Sequence, residues 1–491
     1  MAVSFNEIPG NLRVPLAYVE FDNSGAVTGT PTLMQKTLVL GQRLAGSEVA
    51  AGVPVRITRT DQGAAAFGRG SMLAAQCQAL RQANSYGEVW ALAVDEPATG
   101  AAATGRIQLA GTAAEAGQLA LLMTGHRVPV AVAVGDTAQV LATRVAAAIN
   151  AMAELPVTAA VDGAQTSEVV LTARWKGLTG NDIDLRLNYY SDERTPVGVA
   201  VTLVAMAGGA GSPDLAPALA ALGDEWWHYL VNPFTDTASL DALRDELLSR
   251  WGPLRQIDGV AFMAVRGTHG EASTFGLSRN DHLFSCIGTG LAPQAPWVWA
   301  SVLAGVAAYH LGIDPARPLQ TLPLIGLLPP AIADRWDLPE RNLLLYDGIS
   351  TFTVDAGGQV RLERLITLYR ENAYGDPDPS YLDVNTIATL SYIRYAVRTR
   401  ITQKFPRHKL ADDGIRVGPG QAIVTPKIIR TELLALFTEL ETRGLVEDFE
   451  AFKSTLVVER NANDRNRLDV LSHENLVNQF RVYAHSVQYV L

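Results

Sequence analysis

Cysteine, basic charge and leader-type segments are all scarce in this chain of 491 residues. Its two cysteines, Cys77 and Cys286, form no metal-ligand spacing, and two such thiols favour a reducing compartment or one indifferent to redox state. The net charge of −10 argues against a protein that binds nucleic acid along a basic face. Because the first residues contain neither a basic segment nor an apolar one, we expect no signal peptide.

Long apolar runs are also missing. The most membrane-like run, residues 297–313, has 17 residues and includes Ser301 and His310. A helix that spans a bilayer needs roughly 20 apolar residues. We therefore interpret this run as the buried core helix of a soluble protein and expect no membrane insertion.

The usual motifs for metals and nucleotides do not occur in the sequence. There is no HExxH, CxxC or EF-hand loop, and the eight histidines do not cluster with carboxylates. The glycine-rich turn at residues 208–211 lacks the Gly-Lys-Ser/Thr ending of a phosphate loop, and the three aspartates of residues 374–383 lie among prolines that favour a plain turn. We expect no cofactor and no metal, and a nucleotide-binding enzyme has no motif in its support.

Alternating strand and helix patterns predict an α/β protein that is interrupted by a different module. A strand at residues 35–44, a helix at 70–85 and a strand at 87–96 begin the α/β layer. From about residue 97 to 211 the chain is rich in Ala, Gly, Val and Thr and shows short strands with one helix, which predicts a mainly β insertion. The α/β alternation then resumes and ends in a hairpin at the DAGG turn, residues 355–358.

A long helix after residue 370 is predicted to carry an apolar stripe and a basic face. The stripe consists of Ile387, Leu390, Ile393, Val397 and Ile401. Residues 394–409 contain six Lys or Arg and no Asp or Glu, in a chain that is acidic overall. This basic face is either simply solvated or a docking face for an acidic partner, with nucleic acid as a weaker third interpretation.

Both ends of the sequence are predicted to be extended. The first 30 residues show no helical period and one strand-like run, which is typical of an arm. Residues 480–491 are predicted to form a β-strand, in which Phe480, Val482 and Ala484 alternate with polar or aromatic residues. An unpaired strand is an open template for another chain, so this segment raises the question of its partner.

Two short strings resemble the catalytic segments of subtilisin-type proteases. They are RGTHGEAS at residues 266–273 and GTGLAP at 288–293. The position matching the catalytic histidine is Arg266, and the one matching the nucleophilic serine is Gly290. Arginine cannot accept the proton and glycine has no hydroxyl, so the triad chemistry is not available at these positions. Either the matches are chance, or they remain from a hydrolase-like sheet.

Residues near both ends resemble the contractile tail sheath proteins of Mu-like bacteriophages. The matching segments are NEIPGNLRVPLAYVEFDNSGAV at residues 6–27 and RNANDRNRLDVLSHENLVNQFRVYAHSVQYVL at 460–491. The turn AGGAGSPD is also similar to the opening of the sheath domain, although Ser212-Pro213 departs from it. The resemblance covers nearly the whole chain and is weakest in the insertion.

The resemblance implies an α/β (α+β overall) structural protein that is not an enzyme. Expected are a subtilisin-like α/β sheath domain with an inserted mainly-β module, a C-terminal α/β domain, and extended N- and C-terminal arms. The domain bounds that we expect are 1–30 (arm), 31–97 and 211–369 (sheath domain), 98–210 (outward-facing insertion), 370–479 (C-terminal domain) and 480–491 (terminal strand). The alternative is a subtilisin-like serine hydrolase, catalytically dead or active.

The same resemblance implies the partners. Sheath subunits form stacked hexameric rings around a tail tube and contract to drive the tube through the host envelope, so the expected partners are further copies, the tube protein, and baseplate and tail terminator proteins. The resemblance also implies a virion tail that is assembled in the bacterial cytoplasm. Strand exchange between subunits is expected at Leu16, Tyr18, Phe21, Phe480, Val482, Tyr483, Val487, Tyr489 and Leu491. Contact with the tube is expected at Arg394, Arg398, Arg400 and Lys404.

Overall fold

The chain folds into two compact units, Met34–Ile387 and a smaller one of Met1–Leu33 together with Ala388–Leu491. The structure is a computed structural model that describes residues 13–15, 17–19, 30–31, 33–416, 418 and 420–490. Strands β1 to β21 and helices α1 to α11 are numbered along the chain.

An eight-stranded sheet forms the centre of the larger unit, in the order β15-β14-β13-β12-β11-β1-β3-β2. Its inner strands run parallel, and the two edge strands, β2 and β15, run antiparallel to their neighbours. Leu38, Val39 and Leu40 on β1 are all fully buried, as is typical of a parallel sheet covered on both faces. The strands are β1 Lys36–Gln42, β2 Pro54–Ile57, β3 Glu88–Val94, β11 Tyr229–Val231, β12 Val260–Val265, β13 Phe284–Gly288, β14 Ile349–Val354 and β15 Val360–Arg364.

The helices of the larger unit cover this sheet, which confirms the predicted α/β class. Helix α7 is long and apolar enough to span a membrane by length and composition, but 72% of it is buried inside the unit. It packs along α2 and against β11 and β12, so the predicted core helix is confirmed. The helices are α1 Gln62–Phe67, α2 Met72–Ala83, α4 Ala216–Ala221, α5 Thr237–Trp251, α6 His269–Leu277, α7 Pro296–Ile313 and α8 Leu338–Tyr346.

The part of the chain between β3 and β11, two strands of the central sheet, forms two smaller sheets. One has four strands in the order β10-β4-β8-β7, the other three in the order β6-β5-β9, and helix α3 contacts both. Their shared core extends into the central layer, where Trp175 meets Trp297 edge to face with the ring centroids 5.7 Å apart. The elements are β4 Ala102–Gly111, β5 Gly117–Met123, β6 His126–Val132, α3 Ala138–Ala151, β7 Val157–Val161, β8 Glu168–Lys176, β9 Leu185–Leu187 and β10 Val199–Ala207.

The hairpin predicted at the DAGG turn is confirmed. Strands β14 and β15 pair antiparallel on either side of it. Asp355 holds the turn, because its Oδ1 accepts hydrogen bonds from the backbone N–H of Gly357 and of Gln359, both at 3.0 Å. An aspartate that accepts from the backbone two residues ahead is a common way to stabilise such a turn.

In its described residues, the smaller unit contains three helices and short pairs of strands. Its core includes Phe437 on α10 stacked on Phe452 of α11, with the centroids 4.1 Å apart. Helix α10 stops before Gly444, which has a φ of 70° that favours glycine, so the predicted stop is confirmed. The elements are α9 Val384–Lys404, which begins in the larger unit, β16 Lys409–Leu410, β17 Ile423–Val424, α10 Pro426–Thr442, β18 Val446–Glu447, α11 Phe449–Thr455, β19 Val457–Arg460, β20 Leu468–Leu471 and β21 Asn475–Leu476.

A cluster of charges fastens the inserted sheets to the carboxyl ends of β12 and β13. Asp184, just before β9, pairs with Arg266, and its other oxygen accepts from Arg186 Nε at 2.6 Å. Arg186 also donates to the backbone carbonyl of Leu291. Breaking a half-buried pair of this kind leaves one charge unsatisfied, so the cluster fixes how the inserted sheets lie on the central layer.

Asp182 lies beside this cluster and is poorly solvated. Burial raises the pKa of its carboxyl group to about 6, and the nearby positive charge of Arg266 opposes that shift. A carboxyl whose pKa is higher in the folded state than in the unfolded chain favours folding while it is protonated. The folded state therefore loses stability as the pH rises from about 4 through 6, where Asp182 becomes charged.

We expect Asp182→Asn to stabilise the protein at pH 7.5, because the amide cannot ionise. A difference of about two pKa units sets the upper limit of the gain in unfolding free energy at about 3 kcal/mol, and the gain should vanish near pH 4. Thermal unfolding at both pH values measures it. Asp192→Asn is the matched control, since Asp192 is exposed and should show no gain. An equal gain at both pH values would contradict this account.

Candidate assembly surfaces

The protease-like strings lie at the carboxyl ends of β12 and β13, where α/β enzymes often bind ligands. In the structure, the residues at this edge make contacts within the fold. Arg266, at the position of a catalytic histidine, is taken up by the ion pair with Asp184. Gly290 has a positive φ of 58° and lies against Pro330 and Trp336. His269 Nε2 is 3.0 Å from the carbonyl oxygen of Glu340, and its ring meets Trp336 edge to face.

The aspartate-rich segment after β15 is a turn, as its prolines predict. Asp378 accepts hydrogen bonds from the hydroxyl of Tyr369 at 2.6 Å and from Ser380, and these bonds hold the pKa of its carboxyl below the usual range. Asp383 pairs with Arg364 at 3.0 Å. Among the described residues, no three His, Cys, Asp or Glu side chains are grouped so that they could hold a metal ion.

The glycine-rich turn at residues 208–211 joins β10 to the central layer. Gly208 and Gly211 both have positive φ values, and the N–H of Gly209 donates to Asn181 Oδ1 at 2.8 Å. Helix α4, which follows, is only six residues long, and Asp214 already accepts from the N–H of Ala216 at 2.9 Å. The turn is therefore an ordinary connection that its own chain satisfies.

The smaller unit contains an apolar groove of about 360 Å³ between α9, α10 and strand β20. Ile393, Val397 and Ile401 of the predicted α9 stripe line it from one side. Leu468 and Val470 of β20 line it from another. The sequence predicts the apolar stripe but not the groove, because residue spacing along α9 does not show how completely the neighbouring elements cover the stripe.

Strands β19 and β20 form a hairpin that pairs only with itself among the described residues. Strand β19 packs against α10, and the residues of the two strands that face outward include Val457 and Leu471, about half exposed. Each outer edge of this hairpin is a row of backbone N–H and C=O groups that a further strand can pair with. A two-stranded hairpin with both edges open is an incomplete sheet.

Residues 477–490 form no strand within the described chain, so the strand expected at residues 480–491 is not formed by the single subunit, and its pairing with a neighbouring copy stays a prediction. The physical reason is that a strand is defined by its ladder, and no strand of the described chain pairs with this segment. The segment is nonetheless apolar and exposed. Its exposed members include Phe480, Val482, Tyr483, Val487 and Tyr489, each more than 70% accessible.

The corresponding positions near the other terminus are only partly described. Tyr18 is exposed, and its hydroxyl lies 3.4 Å from the backbone carbonyl of Val14. Leu16, Phe21 and Leu491, which were also expected to exchange strands, lie outside the described residues.

The basic face of α9 is divided by the structure. Arg400 is buried and pairs with Glu439 and, at 3.6 Å, with Glu432 of α10. Its charge is thus neutralised inside the unit, and its expected contact with the tube stays a prediction. Lys404 is half exposed and pairs with Glu432 at 2.7 Å, and Arg394 and Arg398 are partly exposed on the same helix.

Sequence comparisons identify the family. The chain matches a profile of the phage tail sheath protein central domain at residues 208–368 and one of the phage tail sheath C-terminal domain at residues 376–489. It is 57% identical to the Mu-like prophage FluMu tail sheath protein of Haemophilus influenzae over 491 residues, which is the full length of both proteins.

Solved structures similar to this chain include two sheath proteins. One is the sheath tail protein from Desulfitobacterium hafniense, with a TM-score of 0.49 and 12% identity over 94% of this chain and 100% of the other. The other is the helical sheath of the anti-feeding prophage in its contracted state, with a TM-score of 0.48 and 11% identity over 98% of each chain. The two sequence comparisons confirm the expected structural role, in place of an enzymatic one, and this chain belongs to the phage tail sheath protein family.

Proposed function

We propose that this sheath protein polymerises by strand exchange, in which the terminal segments of one copy pair with hairpin β19–β20 of its neighbours. The proposal rests on two features of the same chain that would fit each other in neighbouring copies. An apolar segment without a ladder follows residue 476, and a hairpin with two open edges stands beside an apolar groove. Backbone hydrogen bonds would supply affinity, and side-chain pockets would set the register.

The position of the groove favours the free edge of β20 as the edge that accepts the added strand. Strand β19 is packed on α10, whereas Leu468 and Val470 of β20 border the groove that α9 lines on its other side. A third strand added beside β20 would therefore extend the sheet across the groove. It would cover Val397 and Ile401, two residues of the α9 stripe that line the groove and that the single chain leaves partly exposed.

The alternation of the terminal segment fits such a cover. Side chains along a strand point to opposite faces in turn, so Phe480 and Val482 would face the groove while Arg481 and His485 would face away. Burying a Phe or Val side chain contributes about 1.5 to 3 kcal/mol. The N-terminal arm, with Leu16, Tyr18 and Phe21, would take the second open edge, that of β19.

A contact between different surfaces of identical copies builds rings or helical filaments. We infer hexameric rings stacked around a tail tube, with baseplate and tail terminator proteins at the two ends, assembled in the cytoplasm of the bacterial host. Contraction would be a rigid-body change between two packings of the subunits, during which the exchanged strands keep the copies linked. The inserted sheets would face outward and the smaller unit would face the tube.

The basic face of α9 supplies the contact with the tube in this proposal. Arg394, Arg398 and Lys404 are the candidates because they are partly or half exposed, whereas Arg400 is buried and pairs with Glu439. Exposed ion pairs are individually weak and screened by salt, so they can hold the tube in register and still release it during contraction.

Strand exchange predicts that Phe480→Asp/Val482→Asp leaves a folded subunit that no longer polymerises, because both side chains are exposed in the single chain and buried in the assembly. Deletion of residues 480–491 should have the same effect. Negative-stain microscopy for striated cylinders and circular dichroism for folding provide the two measurements. His485→Asp, on the opposite face, is the matched control and should assemble. Sheaths of normal length from the deletion variant would refute strand exchange at this end.

Tube contact predicts that Arg394→Glu/Arg398→Glu/Lys404→Glu weakens assembly on tubes, because the reversed charges would repel an acidic tube surface. We expect at least about tenfold more tube to be needed at low salt, with the difference shrinking as salt is added. Co-sedimentation with purified tubes measures this. Lys427→Glu, an exposed cation at the start of α10, is the control. Undiminished binding by the triple variant would remove α9 from the tube interface.

A further inference from the structure

The two sheets of the insertion end in four edge strands, and three of these edges are protected. Strand β7 is covered by Asn150 of α3, whose side chain accepts from the N–H of Ala159 at 2.9 Å and donates to its carbonyl at 2.7 Å. Strand β6 contains Pro129, and the carbonyl of Ala131 accepts from Arg144 at 3.2 Å. Strand β9 is only three residues long. Proline, short length and side-chain cover are common ways in which proteins block pairing at an edge.

Strand β10 is the fourth edge, and the described structure gives it none of these protections. It is nine residues long, with the sequence VAVTLVAMA, and contains neither a charged residue nor a proline. Among the described strands it is hydrogen-bonded only to β4. Strand β9 also contacts it, but β9 is hydrogen-bonded to β5. Long, uncharged edge strands rich in β-branched residues are the ones that pair with a further strand.

The ladder between β10 and β4 shows which backbone groups of β10 face the open edge. The N–H of Leu109 on β4 donates to the carbonyl of Ser167 on the β8 side, at 3.0 Å, so Leu109 is not hydrogen-bonded to Val201, which lies opposite it on β10. Bonded and non-bonded pairs alternate along an antiparallel ladder. The N–H and C=O groups of Val201 and Leu203 therefore point away from β4, and no described residue bonds to them there.

The apolar layer of the insertion is incompletely covered at the same edge. Val201 and Leu203 pack against the shared core but stay partly exposed. On β7, at the protected edge of the same sheet, the inward-facing Val157 and Ala159 are buried. The opposite face of β10 presents Thr202, which is exposed. A further strand beside β10 would complete this layer.

We propose that β10 of one free subunit pairs antiparallel with β10 of a second copy, centred on Thr202, so that the two four-stranded sheets become one continuous sheet. In this register Val201 of each copy lies opposite Leu203 of the other, and all the free N–H and C=O groups of both residues are bonded. Shifting the register by two residues would set Leu203 opposite Val199, whose N–H already donates to Pro196 at 3.2 Å. Because β10 carries no charge, the symmetric pairing brings no like charges together.

The symmetry of this contact shows where it can occur. A strand that pairs with its own counterpart makes a two-fold contact, which closes after two copies. Neighbours in a sheath all point the same way along its axis, so a two-fold contact cannot join them. The β10 contact therefore belongs to the free subunit, as a dimer that separates before its copies enter a sheath. It lies in the larger unit and is independent of strand exchange.

Disulfide trapping tests the contact in the full-length protein, after sheaths have been removed by centrifugation. Residues opposite each other in a non-hydrogen-bonded pair have Cα atoms about 4.5 Å apart, which a disulfide can span. Thr202→Cys should therefore give a disulfide-linked dimer on mild oxidation. Ala200→Cys, exposed on the same strand, is the matched control and should stay monomeric, because it lies opposite Val204. The native thiols do not interfere, since Cys77 and Cys286 are fully buried. Equal dimer formation by both variants, or none by either, would overturn the proposal.

Charge substitutions at the same position give a second readout. Thr202→Lys and Thr202→Asp each place a charge opposite its own counterpart, so each variant alone should dimerise about tenfold more weakly in sedimentation velocity. An equal mixture of the two should restore the dimer, because opposite charges then face each other. Thr158→Lys, exposed on the protected strand β7, is the control and should dimerise like the wild type.

The two proposals fail in different ways. A wild-type protein that stays monomeric up to the concentration at which sheaths form, or a mixture that dimerises no better than its components, would refute the β10 contact alone. Dimers of the wild type without any striated cylinders would refute the proposed function and support this contact.

Discussion

The open edges of hairpin β19–β20 are the constraint on which the account of assembly depends. A lone pair of strands is marginally stable in water, and this one is held by the packing of β19 on α10. Its outer N–H and C=O groups have no ladder partner within the described chain. In the central sheet, by contrast, Gln62 covers one edge and residues 321–324 cover the other. The fold thus covers the edges of its large sheet and leaves both edges of hairpin β19–β20 open to a further strand.

The larger unit is built to keep its shape. Its inserted sheets share a core with the central layer through Trp175 and Trp297 and are held by Asp184 between two arginines. Rigid bodies joined by extended segments can change their mutual packing without unfolding, which suits the contraction that we propose. The carboxyl ends of β12 and β13, where α/β enzymes often bind ligands, here hold the insertion through Arg266 and Leu291.

Much of the larger unit could be predicted from the sequence, because its strands are continuous apolar runs bounded by turn residues and its helices have clear periods. The hairpin at Asp355 and the helix stop at Gly444 followed from local turn chemistry. Long-range partners could not be predicted. Arg400 belongs to a basic run, and only the fold shows that Glu432 and Glu439 neutralise it. Likewise, the sequence LPERNLLLY of α8 gives no sign that only Leu344 of its apolar residues is buried.

The terminal segment, residues 480–491, is a second case in which the sequence predicts an element but not its partner. Its alternation predicts a strand, yet a strand needs a neighbour, and the described part of the single chain provides none. A cryo-EM map of the assembled sheath tests the central claim most directly, because it shows where residues 480–490 of each copy lie. Strand exchange predicts that they run beside β20 of a neighbouring copy with Phe480 and Val482 over the groove. Density that places them on their own subunit, or away from any strand, would contradict the account.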